Sequence, residues 1–365
     1  MSKGRGYWTY ILTIPSFALL LLSGYGGWLT PSFFGSVPAI LVLAYPVIAL
    51  LSLVMGVCSL LLRKPMMSLV MLGGLLATWP SLRANFPVNL SHPVADSTQC
   101  FTVMSYNVAS FHNSLWTDTT SMHPTMRLIL DEDADFVIML QPVYGGKGYD
   151  ENKSVEPWIS ELERHYPYRT HSRYDNVDLL SKYPFRVVTL SLPGHSYRYF
   201  PYVIKSTDRY AFDIRLPNHH QLRIIGAYMT SFQLDDDQRR ILDTASYAAS
   251  TLPALYEKLD KAFEHRERVS KRLRDSLDTS PANVILCTDL NDVPQSFSYR
   301  TVMGSDMHDA FKDCLTGYVN TFNAHHMYFH IDHILYRGSM HAVGFKRIKS
   351  GLSDHYPIVA RFEWD

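Results

Sequence analysis

Three short stretches of this chain bring together the side-chain types that do acid-base and metal chemistry. The first runs Val284-Ile285-Leu286-Cys287-Thr288-Asp289-Leu290-Asn291-Asp292. Read as a buried strand running into a polar tip, it turns Asp289 and Asn291 to one face, because side chains two apart on a strand share a side. Asp and Asn also favour turns after strands for backbone reasons alone, so this stretch is weak by itself. The second is Ile331-Asp332-His333-Ile334-Leu335, a carboxylate set in apolar surroundings. The third, Ser353-Asp354-His355-Tyr356-Pro357, places a carboxylate next to an imidazole shortly before the C-terminal apolar run. Carboxylates and imidazoles serve as general acids and bases and as metal ligands. The three stretches in this order are far more specific than any one of them.

Strands must deliver these groups. Fully apolar runs of strand length occur at Phe101 to Tyr106 and Phe136 to Leu140. Further strands are expected at Val177 to Leu180, Val187 to Leu190, Tyr210 to Leu216, Leu222 to Tyr228, Val284 to Cys287, His333 to Tyr336 and Ile358 to Phe362. A short helix is expected over Pro124 to Asp131. A long one over Leu252 to about Leu277 carries Glu257, Lys258, Lys261, Glu264, Arg268 and Lys271, spaced to pair along a solvated face.

The chain has 365 residues, and its composition changes sharply near residue 90. Before that point there is no acidic residue, and the only fixed cations are Lys3, Arg5, Arg63, Lys64 and Arg83. The whole chain balances 34 Lys and Arg against 34 Asp and Glu; without those five cations, 29 face 34, a net charge of −5 for the remainder. Nucleic-acid binding leaves a basic footprint, and the net acidic remainder carries no strong one, a mild argument against long polyanions.

Tyr7 to Leu62 contains no charged residue, and a membrane-spanning helix needs about 20 mostly apolar residues. The expectation is three transmembrane helices within residues 1 to 84: Tyr7 to about Trp28, Val37 to Leu62, and Met66 to about Leu82. The Gly/Pro/Ser-rich Leu29 to Ser36 breaks the first two. The third is the shortest and ends at Trp79-Pro80, so lying along the interface is its alternative. Placement of the cations puts the N-terminus and Arg63-Lys64 on the cytoplasmic side. Three crossings then put everything after about Ala84 on the far side, the periplasm for a bacterial inner membrane; two would leave it cytoplasmic. A linker follows from Asn85 to Cys100, then one domain from Phe101 to Asp365. Cys58 lies inside a span, and Cys100, Cys287 and Cys314 allow at most one disulfide.

Met104-Ser105-Tyr106-Asn107, Leu180-Ser181-Lys182-Tyr183-Pro184, Asp289-Leu290-Asn291-Asp292, Ile331-Asp332 and Ser353-Asp354-His355 together resemble the endonuclease/exonuclease/phosphatase superfamily. Pro294, Ser296, Tyr299 and Asp309-Ala310-Phe311 fit the same pattern, and the resemblance covers roughly Phe101 to Asp365. It implies an α/β fold of the DNase I-like kind, a two-layer β-sandwich flanked by helices. It also implies in-line attack of water on a phosphoester with Mg²⁺ or Mn²⁺ bound through oxygen ligands. By the same resemblance Asn107 binds metal or phosphate, and Asp289 positions or deprotonates the water. Asn291 orients that water and the phosphate, and Asp354 is a metal-side carboxylate. His355 contacts the phosphate and is held in orientation by Asp332. His330 and His333, with His325 and His326, are expected as loop histidines lining the phosphate side.

Two positions depart from the family pattern. Where the family carries a metal-binding Glu after its second strand, the ungapped match puts Gln141, a neutral and poorer ligand, and a match shifted by one puts Pro142; either way the carboxylate is missing. Within Ile225-Gly226-Ala227-Tyr228-Met229-Thr230-Ser231, Gly226 stands for the usual Asn and Tyr228 for a phosphate-contacting His. Thr288 also replaces a usual Gly. Two readings stay open: a membrane-anchored hydrolase of the nuclease or phosphodiesterase type with an impaired site, acting on nucleic acid, a phospholipid head group or another phosphorylated small molecule, and a non-catalytic protein that keeps the pocket for binding or scaffolding.

Overall fold

The computed structural model describes residues 3–89, 100–111, 121–142, 159–170, 177–189, 209–217, 220–232, 234, 252–324 and 327–365. The chain divides into two compact units. One comprises Met1–Val88, Ser231–Lys271 and Asp292–Val302; the other comprises Asn89–Thr230, Arg272–Asn291 and Met303–Asp365. We call them the helical unit and the sheet unit.

The sheet unit is built from twelve described strands: β1 (Cys100–Asn107), β2 (Phe136–Leu140), β3 (Tyr168–Arg169), β4 (Val177–Ser181), β5 (Phe185–Thr189), β6 (Arg209–Arg215), β7 (Gln221–Tyr228), β8 (Val284–Asp289), β9 (His308–Asp309), β10 (Asp332–Arg337), β11 (Met340–Arg347) and β12 (Ile358–Trp364). They form two six-stranded sheets, ordered β11-β12-β1-β2-β4-β3 and β5-β6-β7-β8-β10-β9. Side chains alternating along the strands fill the space between the sheets: Phe101 and Val103 of β1, Phe136 and Ile138 of β2, Phe212 of β6, Ile224 of β7, Ile285 and Cys287 of β8 and Phe362 of β12 lie in one buried cluster. The other face of β1 and β2 is also covered, Met104, Tyr106, Val137 and Met139 packing with Met126, Ile129 and Leu162. Those last three come from two helices described below. Strands buried on both faces read as continuous apolar runs, which is why β1, β2 and β8 were legible.

All nine expected strands are present, Phe136–Leu140 to the residue and the others with ends moved by one or two residues. Three were missed. β3 and β9 are two residues each, and β11 carries a register shift between Ala342 and Gly344, which breaks the alternation a sequence reading depends on.

The helices, in chain order, are α1 (Lys3–Tyr25), α2 (Pro31–Phe34), α3 (Val37–Leu43), α4 (Tyr45–Leu61), α5 (Pro65–Ala77), α6 (Trp79–Asn85), α7 (Pro124–Glu132), α8 (Ile159–His165), α9 (Leu252–Asp278), α10 (Phe297–Met303) and α11 (Ala310–Cys314). The start of α7 is set by His123, whose side chain accepts from Thr125 N, with Pro124 inside the first turn; left-handed Asp133 ends it.

In the helical unit the expectation of three continuous membrane spans is corrected. Among the described residues no single helix is long and apolar enough to cross a membrane; α3 with α4 and α5 with α6 pass that test only as pairs, bent by 66° and 68°. Proline accounts for both breaks. Pro46 and Pro80 sit in the first turns of α4 and α6, and a proline ring clashes with the carbonyl four residues back and offers no N–H, so a helix cannot run through unbent. The expected linker begins inside structure, since Asn85 is the buried last residue of α6; residues 90–99 lie outside the described set. Leu20, Tyr45, Ala49 and Leu75 form the unit's apolar centre. The solvated face expected on α9 holds for Glu257–Lys261 and Glu264–Arg268. Glu267 instead is buried and accepts from Ser32 N at 2.9 Å and Ser32 Oγ at 3.0 Å.

Candidate active site

Each sheet places a parallel pair at its centre, β1 beside β2 and β7 beside β8. The carboxyl ends of these four strands carry Asn107 (β1), Gln141 (directly after β2), Tyr228 (β7) and Asp289 (β8). In register, Tyr228 pairs with Asp289, and Asp289 pairs with Asp332 at the start of β10. Paired residues share a face, so Tyr228, Asp289 and Asp332 form a row across one sheet.

The other sheet reaches that row through two side chains. Asn107 Nδ2 donates to Asp289 Oδ2 at 3.0 Å, while its Oδ1 accepts from Ala109 N at 3.0 Å. His355, just before β12, sets Nδ1 against Asp332 Oδ2 at 2.8 Å and Nε2 at 3.7 Å from Asp289 Oδ2. Asn291 closes the arrangement. Its backbone N donates to Asp289 Oδ1 at 2.8 Å, and its Nδ2 donates to Asp289 Oδ2 at 3.1 Å and to Met229 O at 2.7 Å. To do so Asn291 takes a left-handed conformation, φ 48°, which Asn tolerates better than most residues.

Burial governs the charges. Asp289 is fully buried, and its carboxyl pKa is raised, first by that burial and then by the facing charge of Asp332; the His355 cation and the Asn291 and Asn107 donors act against the rise. For His355 burial works to remove the proton, but the carboxylates of Asp332 and Asp289 outweigh it and the imidazole pKa is raised, to about 10. The trio therefore holds a proton on the imidazole at neutral pH, between two carboxylates, and titrates as one unit.

Asn107, Asp289, Asn291, Asp332 and His355 are thus brought together. Asp354 is exposed, outside the trio, with its Oδ1 accepting from Ser353 Oγ at 3.2 Å. Gln141 lies at the same strand ends in a left-handed turn, φ 54°, its carbonyl accepting from Ser110 N at 2.9 Å. The loop-histidine expectation is corrected. His330 is buried, its Nδ1 2.7 Å from Val319 O and its ring stacked on Phe311. His333 is buried with Nδ1 3.3 Å from Asp309 Oδ2. As the neighbour of Asp332 on β10, His333 points to the opposite face. His325 and His326 lie outside the described residues. All four cysteines are free.

Sequence reasoning missed the supports. Thr321 Oγ1 accepts from Ile331 N and Asp332 N, both at 3.0 Å, fixing the start of β10. Phe322 packs edge-on against the His355 ring, centroids 5.1 Å apart, and Ser353 Oγ donates to Asn107 O at 2.8 Å. A lone Thr or Phe in a loop gives no signal of such a role. At Gly226, an added Cβ would lie 2.3 Å from Val177 Cγ1 and 3.2 Å from Ile138 Cγ2; valine fills the space where the family keeps an Asn side chain.

The donor types fit a hard divalent cation. Ligand atoms of Asp289, Asp332 and His355 lie within 4.8 Å of one another, but the protonated His355 ring has no lone pair to give, so the oxygens of Asp289, Asn107, Gln141 and Asp354, at the same strand ends and the adjoining loop, would hold the ion. The fit is one carboxylate poorer than in the family pattern. Three N–H groups already bond to Asp289, which lowers the pull its carboxylate exerts on a cation.

Residues 104–355 match the sequence model of the Endonuclease/Exonuclease/phosphatase family. No curated protein matches the chain. Solved structures similar to it include an endonuclease/exonuclease/phosphatase from Beutenbergia cavernae, 15% identical over 73% of this chain and 72% of that one, TM-score 0.47. Humanized D. rerio TDP2 is 11% identical over 73% and 99%, TM-score 0.46. The human Nocturnin catalytic domain with bound sulfate is 14% identical over 76% and 100%, TM-score 0.46.

Proposed function

The chain belongs to the endonuclease/exonuclease/phosphatase family, and from that premise we propose that it hydrolyses a phosphoester at the Asn107, Asp289, Asn291, Asp332 and His355 site. One observation carries the reading: an unbroken chain of contacts, Asn107 to Asp289 to His355 to Asp332, links the ends of the two central parallel pairs. A buried imidazolium whose second nitrogen is fixed by a carboxylate offers a directed N–H to a phosphate oxygen. Asp289, kept partly neutral by burial, can take a proton from water near neutral pH, where a general base works best. Asn291 and Asn107 hold its carboxylate in place. A Mg²⁺ or Mn²⁺ ion held by Asp354, Gln141 and Asn107 would neutralise charge developing on the phosphate.

Purified full-length protein in detergent, given bis(p-nitrophenyl) phosphate with Mg²⁺ or Mn²⁺, should release nitrophenol, and Asp289→Ala should reduce this to background. Equal rates in the two proteins would sink the proposal. Gln141 favours a second reading, phosphoester binding without turnover. Saturable binding of a non-hydrolysable phosphodiester by a protein that never releases product would select it. The sheet-unit charge, carrying no basic excess, favours a small phosphoester over a long polyanion.

We also propose that this chemistry is tethered to a bilayer by the helical unit. The support is an inverted burial pattern. On α4 the buried residues are Tyr45, Ala49, Ser52, Gly56 and Ser59, while Leu50, Leu51, Val54, Val57, Leu60 and Leu61 are exposed. On α5 Ser68 and Gly74 are among the buried residues, with Leu69 and Leu76 outside. Water reverses this order, whereas lipid favours small and hydroxylated residues between helices and large apolar ones outside. The cations at Lys3, Arg5 and Arg63-Lys64 favour a cytoplasmic N-terminus; an extracytoplasmic sheet unit follows if α1 crosses together with the α3–α4 and α5–α6 pairs. Retention in membranes after a carbonate wash tests the tether; release into the supernatant would overturn it.

A further inference from the structure

The strand that supplies Asp289 leads, one residue past Asn291, into a segment that belongs to the helical unit, Asp292–Val302. Within that unit the segment is fixed by three contacts of different chemistry. Gln295 is buried and left-handed, φ 70°. Its Oε1 accepts from Asn85 Nδ2 at 2.6 Å and its Nε2 donates to Val42 O at 3.1 Å. The backbone beside it passes so close to Gly27 that a Cβ there would lie 1.8 Å from Gln295 O; only glycine admits it. The Arg300 guanidinium stacks over the Trp28 ring at 3.2 Å from the centroid. At the head of the segment, buried Asp292 lies in the field of Arg266 and is bonded by Val293 N. Arg266 itself packs against the rings of Phe232 and Phe263, at 4.2 and 4.7 Å from their centroids.

A tether alone requires none of this. A membrane anchor works through any linker, and a polar side chain is not needed between its helices. Here α3 and α6 instead hold the backbone that continues the Asp289–Asn291 turn. That turn has Asn291 in the left-handed region, and Asn291 supplies two of the donors on Asp289.

We infer that Gln295 and Gly27 are positioning residues for the reaction: they fix the segment that begins at the residue after Asn291 and so hold the far end of the turn that presents Asp289 and Asn291. This rests on the hydrolase reading. A displacement of about 1 Å at reacting groups costs on the order of 100-fold in rate. The full-length Gln295→Ala and Gly27→Ala proteins should therefore lose about 10- to 100-fold in kcat with KM within about twofold.

Ser32→Ala serves as the control for general weakening of the helical unit. It removes one of the bonds to Glu267 without touching the Asp292–Val302 segment, and it should leave kcat unchanged. Wild-type kcat in both Gln295→Ala and Gly27→Ala overturns the inference, as does an equal fall in Ser32→Ala. Hydrogen exchange at the Asn291 amide decides the matter without turnover. Exchange faster by about tenfold or more in Gln295→Ala, with Ser32→Ala like wild type, supports positioning; unchanged exchange overturns it. If wild type hydrolyses nothing while Gln295→Ala still speeds exchange, the hydrolase reading fails and the coupling stands.

Discussion

Asp332 lies directly opposite Asp289 across the antiparallel β8–β10 pair, two buried carboxylates facing each other with the His355 ring between their outer oxygens. Like charges in register destabilise a sheet, so the imidazolium is what lets both carboxylates stay buried.

Replacing Asp332 by Asn removes the partner of His355 Nδ1 and leaves the ring beside one carboxylate only. Losing one member of a buried charged pair costs about 3–5 kcal/mol. The His355 pKa should fall, because Asp332 is the largest of the effects that raise it. NMR titration of the His355 ring against wild type reads the shift, and urea denaturation reads the stability; an unchanged ring titration would mean that Asp332 does not hold the proton.

The same pair makes stability depend on pH. His355 binds its proton more tightly folded than unfolded, as does Asp289, so the native state holds more protons and stability falls as pH rises. The His355 contribution is complete below its unfolded value of about 6.5 and is lost as pH passes its folded value of about 10. The Asp289 preference for its neutral form is lost earlier, between about 3.9 and about 7. Thermal melts from about pH 6 to about pH 10 should give a declining Tm in wild type and a flatter line in His355→Gln.

Gln141→Glu restores the carboxylate the family carries. It should tighten apparent Mn²⁺ or Mg²⁺ binding about tenfold, roughly 1.4 kcal/mol, seen as a lower metal concentration for half-maximal activity or by calorimetry. No change in metal dependence would place the ion elsewhere.

Gly226→Asn, the other restoration, should fail. Its Cβ would meet Val177 at 2.3 Å, and overpacking a core costs about 1–3 kcal/mol. Denaturation midpoints should drop for Gly226→Asn and recover in part when Val177→Ala is added.

Much of the sheet unit was legible because its inner strands are buried on both faces and announce themselves as apolar runs; Phe136–Leu140 was placed to the residue. The site was legible as a set of types, Asp289, Asn291, Asp332 and His355, since strand ends carry their side chains in fixed directions. What escaped was whatever depends on distant partners. Nothing local marks Thr321 as the anchor of β10, or Val177 as the residue occupying the space beside Gly226. The apolar length of residues 37–62 and 66–82 was plain, but the bends at Ala44 and Thr78 follow from prolines whose effect on an apolar run must be weighed against helix packing.

The contact between Gly226 and Val177 limits what this scaffold can carry there. A side chain at 226 and a valine at 177 do not fit together, so an asparagine placed at 226 alone costs stability before it can contribute to chemistry. Polar groups facing a phosphoester come more cheaply from other residues at the same strand ends, of which Tyr228 stands in register with Asp289.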